Sequence, residues 1–402
     1  MPFGFVPISL FWFLYMAGLG VIFPYQSLYF QQNLGLSGTQ LGIALAMHPL
    51  IGIIAAPIWG TWSDRTGKRK LCLLILAIGS AVGYFLVSSA EIFSTLLLFM
   101  CILAFFSAPA MSVATSLSFA ILGKTQSHRF GHIRVWGTIG YLIMIVLFPI
   151  IFQIPGSKAE GSELDILKLI FPIAAFMCAL SALVLFWIPT SKSISVRAKK
   201  GDFQKLLKLS PYLKLLGLAF LAFGLLAGPI VIFPVFVVAK GGDVETISRL
   251  WIPMLLLEIP LIYFAGSGLR RVGARGLIAF GISCDGLRWL ITATASSLPV
   301  IFGIQLLHGA VVAGLIIGMQ LFVENEVPDK IRVTGQALLG ATMGLGAVIS
   351  HLWFGFTLEH LGAEMPYLIT GTVAILLGLA AWFILDRKPG SRNHVDKSNK
   401  LE

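Results

Sequence analysis

The stretch GTWSDRTGKRK, residues 60–70, is a short charged segment between two long apolar runs, at about 38–62 and 70–90. A related stretch, GSGLRRVGAR at 266–275, separates two later apolar runs. The first glycines of the two stretches are 206 residues apart, and so are the glycines seven positions further on. A shared offset in equivalent positions indicates that the chain contains two copies of one structural unit.

The composition places the chain in a membrane. Of its 402 residues 57% are hydrophobic and 12% are charged, and the mean hydropathy is +0.90. A soluble domain carries about 25% charged residues. These values exclude a soluble enzyme, a nucleic-acid binder and a disordered protein. The four cysteines lie in apolar segments without metal-ligand spacing, so no metal site and no cofactor are expected.

Apolar runs long enough to cross the hydrocarbon, which takes about 20 residues, recur along the whole chain. No alternating strand pattern accompanies them, so the sequence predicts an all-α membrane protein. Prolines interrupt several runs, as membrane helices tolerate. The twelve predicted spans lie at about 5–30, 38–62, 70–90, 94–122, 134–153, 166–188, 212–239, 246–266, 275–296, 299–323, 333–358 and 365–385.

Basic residues follow the alternation that twelve spans require. Of 29 lysines and arginines, 24 fall in the even-numbered loops and the C-terminal tail, and only four fall on the other side. The positive-inside rule therefore places both termini in the cytoplasm. The net charge of +11 reflects this topology, and no nucleic-acid partner is expected.

The repeat divides the chain into two pseudo-symmetric six-helix bundles. The predicted parts are an N-terminal bundle (1–188), a basic cytoplasmic linker (189–211), a C-terminal bundle (212–386) and a cytoplasmic tail (387–402). Such repeats place a binding site between the halves, near the bilayer midplane.

Ionisable residues inside the spans are costly and therefore mark candidate functional positions. Glu258, Asp285, Arg288, His308 and His351 lie on four successive spans, at depths of about 10–16 Å from their outer ends. This common depth predicts a shared polar cavity. The alternative is structural: Asp285 and Arg288, three residues apart, can form an ion pair, and each histidine can make an interhelical hydrogen bond.

Proton coupling is expected from Glu258, Asp285 and His308. Two carboxylates would share one guanidinium, so a surplus carboxyl can bind and release a proton, and His308 can relay it. Polar and aromatic residues of the spans are candidates for solute contact, although each can equally belong to the core or to the aromatic belt. The substrate-binding candidates are Arg288, Gln305, Tyr15, Gln26, Trp136 and His351.

The segment at 60–70 resembles the cytoplasmic signature of the major facilitator superfamily, G-x-x-x-D-R-x-G-R/K-R/K. The resemblance implies alternating access and a cytoplasmic gate formed by Gly60, Asp64, Arg65, Gly67 and Arg134. Asp64 would then meet the N-terminus of the span that begins near residue 333. Alternatively, Asp64 only pairs with Arg65 or Arg134. The second copy departs from the signature, because it has an arginine, residue 270, in the acidic position.

The C-terminal half is similar to a narrower group of transporters. The stretches 287–289, 297–299 and 305–309 resemble the phenylpropionate permeases, as does 129–137, and 322–327 resembles the nucleoside proton symporters. Lactose-permease-like proteins have an acid in span eight, an arginine in span nine and a histidine in span ten, which implies corresponding roles for Glu258, Arg288 and His308. The coupling acid of that group is absent, because Val311 stands there.

The predicted function is a monomeric proton-coupled symporter of the cytoplasmic (inner) membrane, which imports a small organic solute such as an aromatic acid, a nucleoside or a sugar. Two alternatives stay open. The first is a proton-driven efflux antiporter, although span five lacks the Gly-Pro pair typical of that group. The second is a membrane receptor or scaffold that transports nothing. No constellation of catalytic residues suggests an enzyme.

Overall fold

The structure is a computed structural model that describes residues 5–123, 129–151, 163–188, 202–328 and 331–385. It is almost entirely helical. The predicted linker falls partly outside these residues, at 189–201, and the predicted tail lies wholly outside them. The helices are α1 (Phe5–Ile22), α2 (Gln26–Gln32), α3 (Gly38–Thr66), α4 (Arg69–Ser88), α5 (Phe93–Leu122), α6 (Phe130–Ile151), α7 (Glu163–Leu167), α8 (Ile170–Val184), α9 (Asp202–Leu206), α10 (Ser210–Ala239), α11 (Val244–Thr294), α12 (Leu298–Gln305), α13 (His308–Val311), α14 (Gly318–Glu326), α15 (Arg332–Leu361) and α16 (Met365–Ile384).

The helices fall where the apolar runs predict spans. Eleven helical segments among the described residues are long and apolar enough to cross a membrane. The first part of α11, before residue 272, occupies the position of the remaining predicted span, the eighth. The prediction of an all-α membrane protein is confirmed.

The helices of the first and tenth predicted spans are among those that are interrupted. The first breaks between α1 and α2, at the turn that contains Pro24, because proline cannot donate a helical hydrogen bond. The tenth breaks at residues 306–307, and a π-helical segment, Val312–Ile317, follows α13. π-helical segments occur often at functional sites.

The two related glycine stretches have related backbone geometry. Gly67 ends α3 with φ = 66°, and Gly273 interrupts α11 with φ = 72°. Residues other than glycine rarely adopt a positive φ of this size. Both glycines, 206 residues apart, therefore have a positive φ, but the turns differ, because ψ is 3° at Gly67 and 170° at Gly273.

Packing divides the chain into two compact units. The first unit comprises residues up to 197 together with 227–253 and 347–366. Within it α1 packs on α6 and α8, α5 packs on α3 and α4, and α4 packs on α8. Small residues allow these approaches: a Cβ added at Gly140 would lie 2.2 Å from the carbonyl oxygen of Phe13.

The second unit comprises the described residues of 198–226 and 254–346 together with 367–385. Its helices also approach through glycine. A Cβ at Gly281 would lie 2.3 Å from the backbone nitrogen of Leu315, and one at Gly371 would lie 2.5 Å from that of Leu290. These contacts hold the second part of α11 close to the π-helical segment and to α16.

Candidate substrate and proton site

The centre of the second unit contains a buried ion pair. Arg288 Nε lies 3.3 Å from Asp285 Oδ1, one turn earlier on α11. The arginine side chain is 1% exposed and the aspartate 6%. A charge buried this deeply requires a partner, and each residue supplies one for the other.

His308 extends this pair toward a second carboxylate. Arg288 Nη1 lies 2.6 Å from His308 Nδ1, and His308 Nε2 lies 3.8 Å from Glu258 Oε2. A guanidinium only donates hydrogen bonds, so Nδ1 accepts from Arg288 and a neutral His308 carries its proton on Nε2, facing Glu258. The order Glu258–His308–Arg288–Asp285 is called the charged chain below.

Glycine contacts and the broken tenth span place His308 beside Glu258. A Cβ at Gly309 would lie 2.8 Å from the carbonyl oxygen of Leu257 and 2.9 Å from the backbone nitrogen of Glu258. The helix therefore approaches the backbone of α11 directly next to His308. The side chains of His308 and Glu258 are 16% and 26% exposed, so this end of the charged chain is more open than the Asp285 end.

Arg288 is fixed by neighbours other than its acid. Its guanidinium carbon lies 4.0 Å from the centre of the Trp289 ring, a cation–π distance, and the Tyr367 ring lies 5.2 Å from that of Trp289. Gln305 Nε2 donates to Thr292 Oγ1 at 3.2 Å, and Thr292 Oγ1 donates to the Arg288 carbonyl oxygen at 2.8 Å. Gln305 is fully buried, and its Oε1 has no hydrogen-bond partner among the described residues.

The first unit contains a second polar group, built on α1, α3 and α5. The Tyr15 hydroxyl donates to the Ser107 carbonyl oxygen at 3.4 Å, and His48 Nε2 lies 3.2 Å from Ser107 Oγ. His351, buried on α15, interacts electrostatically with His48. His48 is not among the predicted site residues, because a lone histidine in a span is more often structural.

Two further predicted solute contacts lie in the first unit. Gln26 is half-buried at the start of α2, and Trp136 on α6 is 45% exposed.

The predicted gate residues Gly60, Asp64, Arg65 and Gly67 lie at the end of α3, whereas Arg134 lies on α6. Asp64 Oδ1 lies 3.9 Å from Arg69 Nη2, and neither Arg65 nor Arg134 is recorded as its ion-pair partner among the described residues. The Arg134 guanidinium lies 4.9 Å from the centre of the Trp12 ring. A Cβ at Gly60 would meet nothing within 4 Å. An open groove of about 440 Å³ runs along this part of α3, lined by Pro57, Ile58, Thr61, Trp62, Arg65 and Thr66.

The opposite end of α3 is held by an acid that sequence reasoning missed. Glu359 Oε2 accepts hydrogen bonds from the Ser37 hydroxyl and the Thr39 backbone N–H, both at 2.8 Å. A Cβ at Gly42 would lie 2.4 Å from the His351 carbonyl oxygen, so α3 and α15 are in backbone contact. The only sequence signal was the Ser37–Gln40 capping box, because an acid near a span end is otherwise read as solvated.

A second set of contacts lies at the same end of the first unit. The hydroxyls of Tyr25 and Ser248 are hydrogen-bonded, and the Phe23 and Trp251 rings meet edge to face at 5.3 Å. All these contacts lie at the span ends opposite the Gly67 turn. The first unit therefore has these span ends packed together.

A family comparison identifies this architecture. Residues 5–369 match the description of the MFS_1 like family, which covers most of the chain. The chain belongs to the MFS_1 like family. It is therefore a multi-pass membrane transporter of the major facilitator superfamily, and the predicted fold of two six-helix bundles is confirmed.

Known relatives extend over nearly the full length. The chain is 26% identical to the maltose permease of Geobacillus stearothermophilus over 92% of this chain and 93% of the relative. It is 21% identical to the "Probable 3-phenylpropionic acid transporter" of Escherichia coli strain K12, over 94% and 96%. Among solved structures, the nucleoside transporter NupG superposes with a TM-score of 0.84 at 17% identity, over 95% of this chain and 100% of that one. The predicted resemblance to this group of permeases is confirmed.

Proposed function

We propose that the protein is a proton-coupled symporter that imports a small organic solute by alternating access. The observation that carries the proposal is the charged chain Glu258–His308–Arg288–Asp285, which joins titratable groups of three predicted spans inside one unit. Ionisable groups are rare inside membrane helices because burying them is costly. A scaffold without transport would have no need to retain them.

The net charge of the charged chain suggests how a proton is carried. With His308 neutral, two carboxylates and one guanidinium leave one net negative charge. Asp285 is already compensated by Arg288 at 3.3 Å, so Glu258, at the more open end, is the acid we expect to take up the proton. Protonation of Glu258 would make the charged chain electrically neutral. Moving a neutral site within the membrane interior has a lower electrostatic cost than moving a charged one.

Solute binding would be linked to this proton through His308. Deprotonated Glu258 attracts the Nε2–H of His308, whose Nδ1 holds Arg288. Protonation of Glu258 would weaken the first contact and let the imidazole turn away from Arg288. The guanidinium would then have a donor free for the solute, so each ligand would strengthen the binding of the other.

The residues proposed to contact the solute are chosen for their polarity and their position within the spans. The candidates remain Arg288, Gln305, Tyr15, Gln26, Trp136 and His351. The relatives named above and the NupG structure suggest sugars, aromatic acids and nucleosides as solute classes. The gate residues Gly60, Asp64, Arg65, Gly67 and Arg134 would close the cytoplasmic side when the outer contacts of Glu359 and Tyr25 open.

The experiment is solute accumulation driven by an imposed pH gradient. Purified protein in liposomes is offered radiolabelled maltose, uridine and 3-phenylpropionate, with the outside acidic, with no gradient, or with the outside alkaline. We expect uphill accumulation of one solute only when the outside is acidic, and loss of accumulation in Glu258→Gln. Accumulation with the outside alkaline would instead indicate antiport, and uptake indifferent to the gradient would contradict proton coupling.

The proposed setting is the cytoplasmic membrane, with both termini inside and the protein acting as a monomer. The basic-residue asymmetry supports this orientation. Protease accessibility of a C-terminal tag in right-side-out vesicles tests it, because a cytoplasmic tag is protected there.

A further inference from the structure

The first unit holds a polar group that the proton-coupling proposal does not use. His48 lies ten residues into α3 from Gly38, and His351 lies ten residues before the end of α15 at Leu361. Both depths are about 15 Å from the outer helix ends. These histidines are therefore near the middle of the membrane.

His48 is exposed although it lies at this depth. Its Nε2 is hydrogen-bonded to Ser107 on α5, and its ring interacts with His351 on α15. Polar partners thus lie on two different helices beside α3. An imidazole exposed at this depth is expected to face a water-accessible space, because a lipid-facing imidazole would be costly.

The remaining ring nitrogen of His48 is available to a ligand. Among the described residues, Nδ1 has no hydrogen-bond partner, while Nε2 is held by Ser107 at 3.2 Å. Ser107 is itself fixed, because its carbonyl oxygen accepts from the Tyr15 hydroxyl at 3.4 Å. The imidazole is therefore presented in one orientation by a buried frame.

We propose that His48, positioned by Ser107, is a solute-binding residue that hydrogen-bonds a hydroxyl group of an uncharged solute. The described members of the group are imidazoles and hydroxyls, with no lysine or arginine among them to pair with an anion, and they match alcohol groups as donors and acceptors. The inference rests on the proposed transport function and adds a solute-binding position to it. It assigns the protein a hydroxylated, uncharged solute such as a saccharide or nucleoside.

Cysteine accessibility tests the position without requiring transport. The four native cysteines are replaced by alanine, and His48→Cys is introduced and reacted with a water-soluble maleimide in open membrane fragments. Phe85→Cys is the matched control, because Phe85 on α4 is 64% exposed in an apolar span and is expected to face lipid. We expect labelling at position 48 and none at position 85, and equal resistance at both would overturn the proposal.

Protection by solutes tests the chemical class. Saturating maltose or uridine should slow the labelling of His48→Cys at least severalfold, whereas 3-phenylpropionate, an anion without a hydroxyl, should not. Protection by 3-phenylpropionate alone, or by none of the three, would overturn the assignment. Proton movement by the wild-type protein is measured in a separate experiment. A failure of proton coupling and an incorrect binding position therefore give different results.

Transport kinetics separate a binding role from a structural one. In the wild-type background, His48→Leu keeps the volume but loses both nitrogens, and we expect an apparent KM for maltose or uridine about tenfold higher, the effect of one lost hydrogen bond. His48→Gln can still bond Ser107 and offer a second polar atom, so it should recover most of the affinity. Equal KM values in all three proteins would contradict the proposal, as would a loss of Vmax with KM unchanged.

Discussion

The buried ion pair of α11 makes a quantitative prediction about stability. Replacing Arg288 with Met removes the guanidinium and leaves Asp285, 6% exposed, without its cation. At 3.3 Å the attraction is about 5 kcal/mol with an effective dielectric constant of 20. Removing one partner of such a pair costs about 3–5 kcal/mol, because the other charge stays buried. At about 2–4 °C per kcal/mol, the melting temperature of Arg288→Met should fall by roughly 10 °C.

The double variant Asp285→Asn/Arg288→Met should be more stable than the sum of the single effects predicts. Neither residue then leaves an unpaired charge, and we expect a coupling energy of about 2–3 kcal/mol. The exposed pair Arg249–Glu245 is the control, since its side chains are 68% and 42% exposed and its coupling should stay below about 0.5 kcal/mol.

The assay is thermal unfolding of the detergent-solubilised protein, followed by the fraction that stays monodisperse after heating. Additive losses in the double variant would refute the ion-pair reasoning. A double variant that folds but accumulates no solute would show that the pair serves transport as well as stability.

Three further predictions concern other positions. Glu258→Gln should keep the melting temperature within about 2 °C but lose accumulation driven by the pH gradient, while solute exchange across the membrane continues. Glu359→Gln removes the acceptor of two hydrogen bonds at the Ser37 end of α3, so crosslinking or labelling there should report a more open helix end. Glu364→Gln removes the acid of an exposed ion pair with Lys240, and as the control it should change nothing. Gly67→Ala must adopt φ = 66° and should cost about 1–2 kcal/mol, whereas Gly60→Ala, with open space around its Cβ, should be neutral in thermal unfolding.

The spans were predictable because each is decided locally, by about twenty consecutive apolar residues. The same holds for Gly67 and Gly273, whose common offset is visible in the sequence and whose positive φ values agree. The common depth of Glu258, Asp285, Arg288 and His308 also follows from counting residues along helices. Their order in the charged chain does not, because it depends on how α11 and α13 are rotated and on the close approach at Gly309.

Contacts between distant helix ends had no local signal. Glu359 meets Ser37 across 322 residues of sequence, and nothing in either neighbourhood predicts the partner. Asp64 illustrates the same difficulty: its loop contains several cations, and the structure records Arg69, which was not among the expected partners. His48 was read as structural because its exposure depends on the space beside α3.

The most direct test of proton symport is the external pH of a suspension of unbuffered proteoliposomes when a solute is added. We expect alkalinisation with one uncharged hydroxylated solute, since protons enter with it, and loss of the signal in Glu258→Gln and in Asp285→Asn. Saturable binding of a solute without any proton movement would contradict symport, and the buried charges would then be structural pairs in a uniporter or receptor.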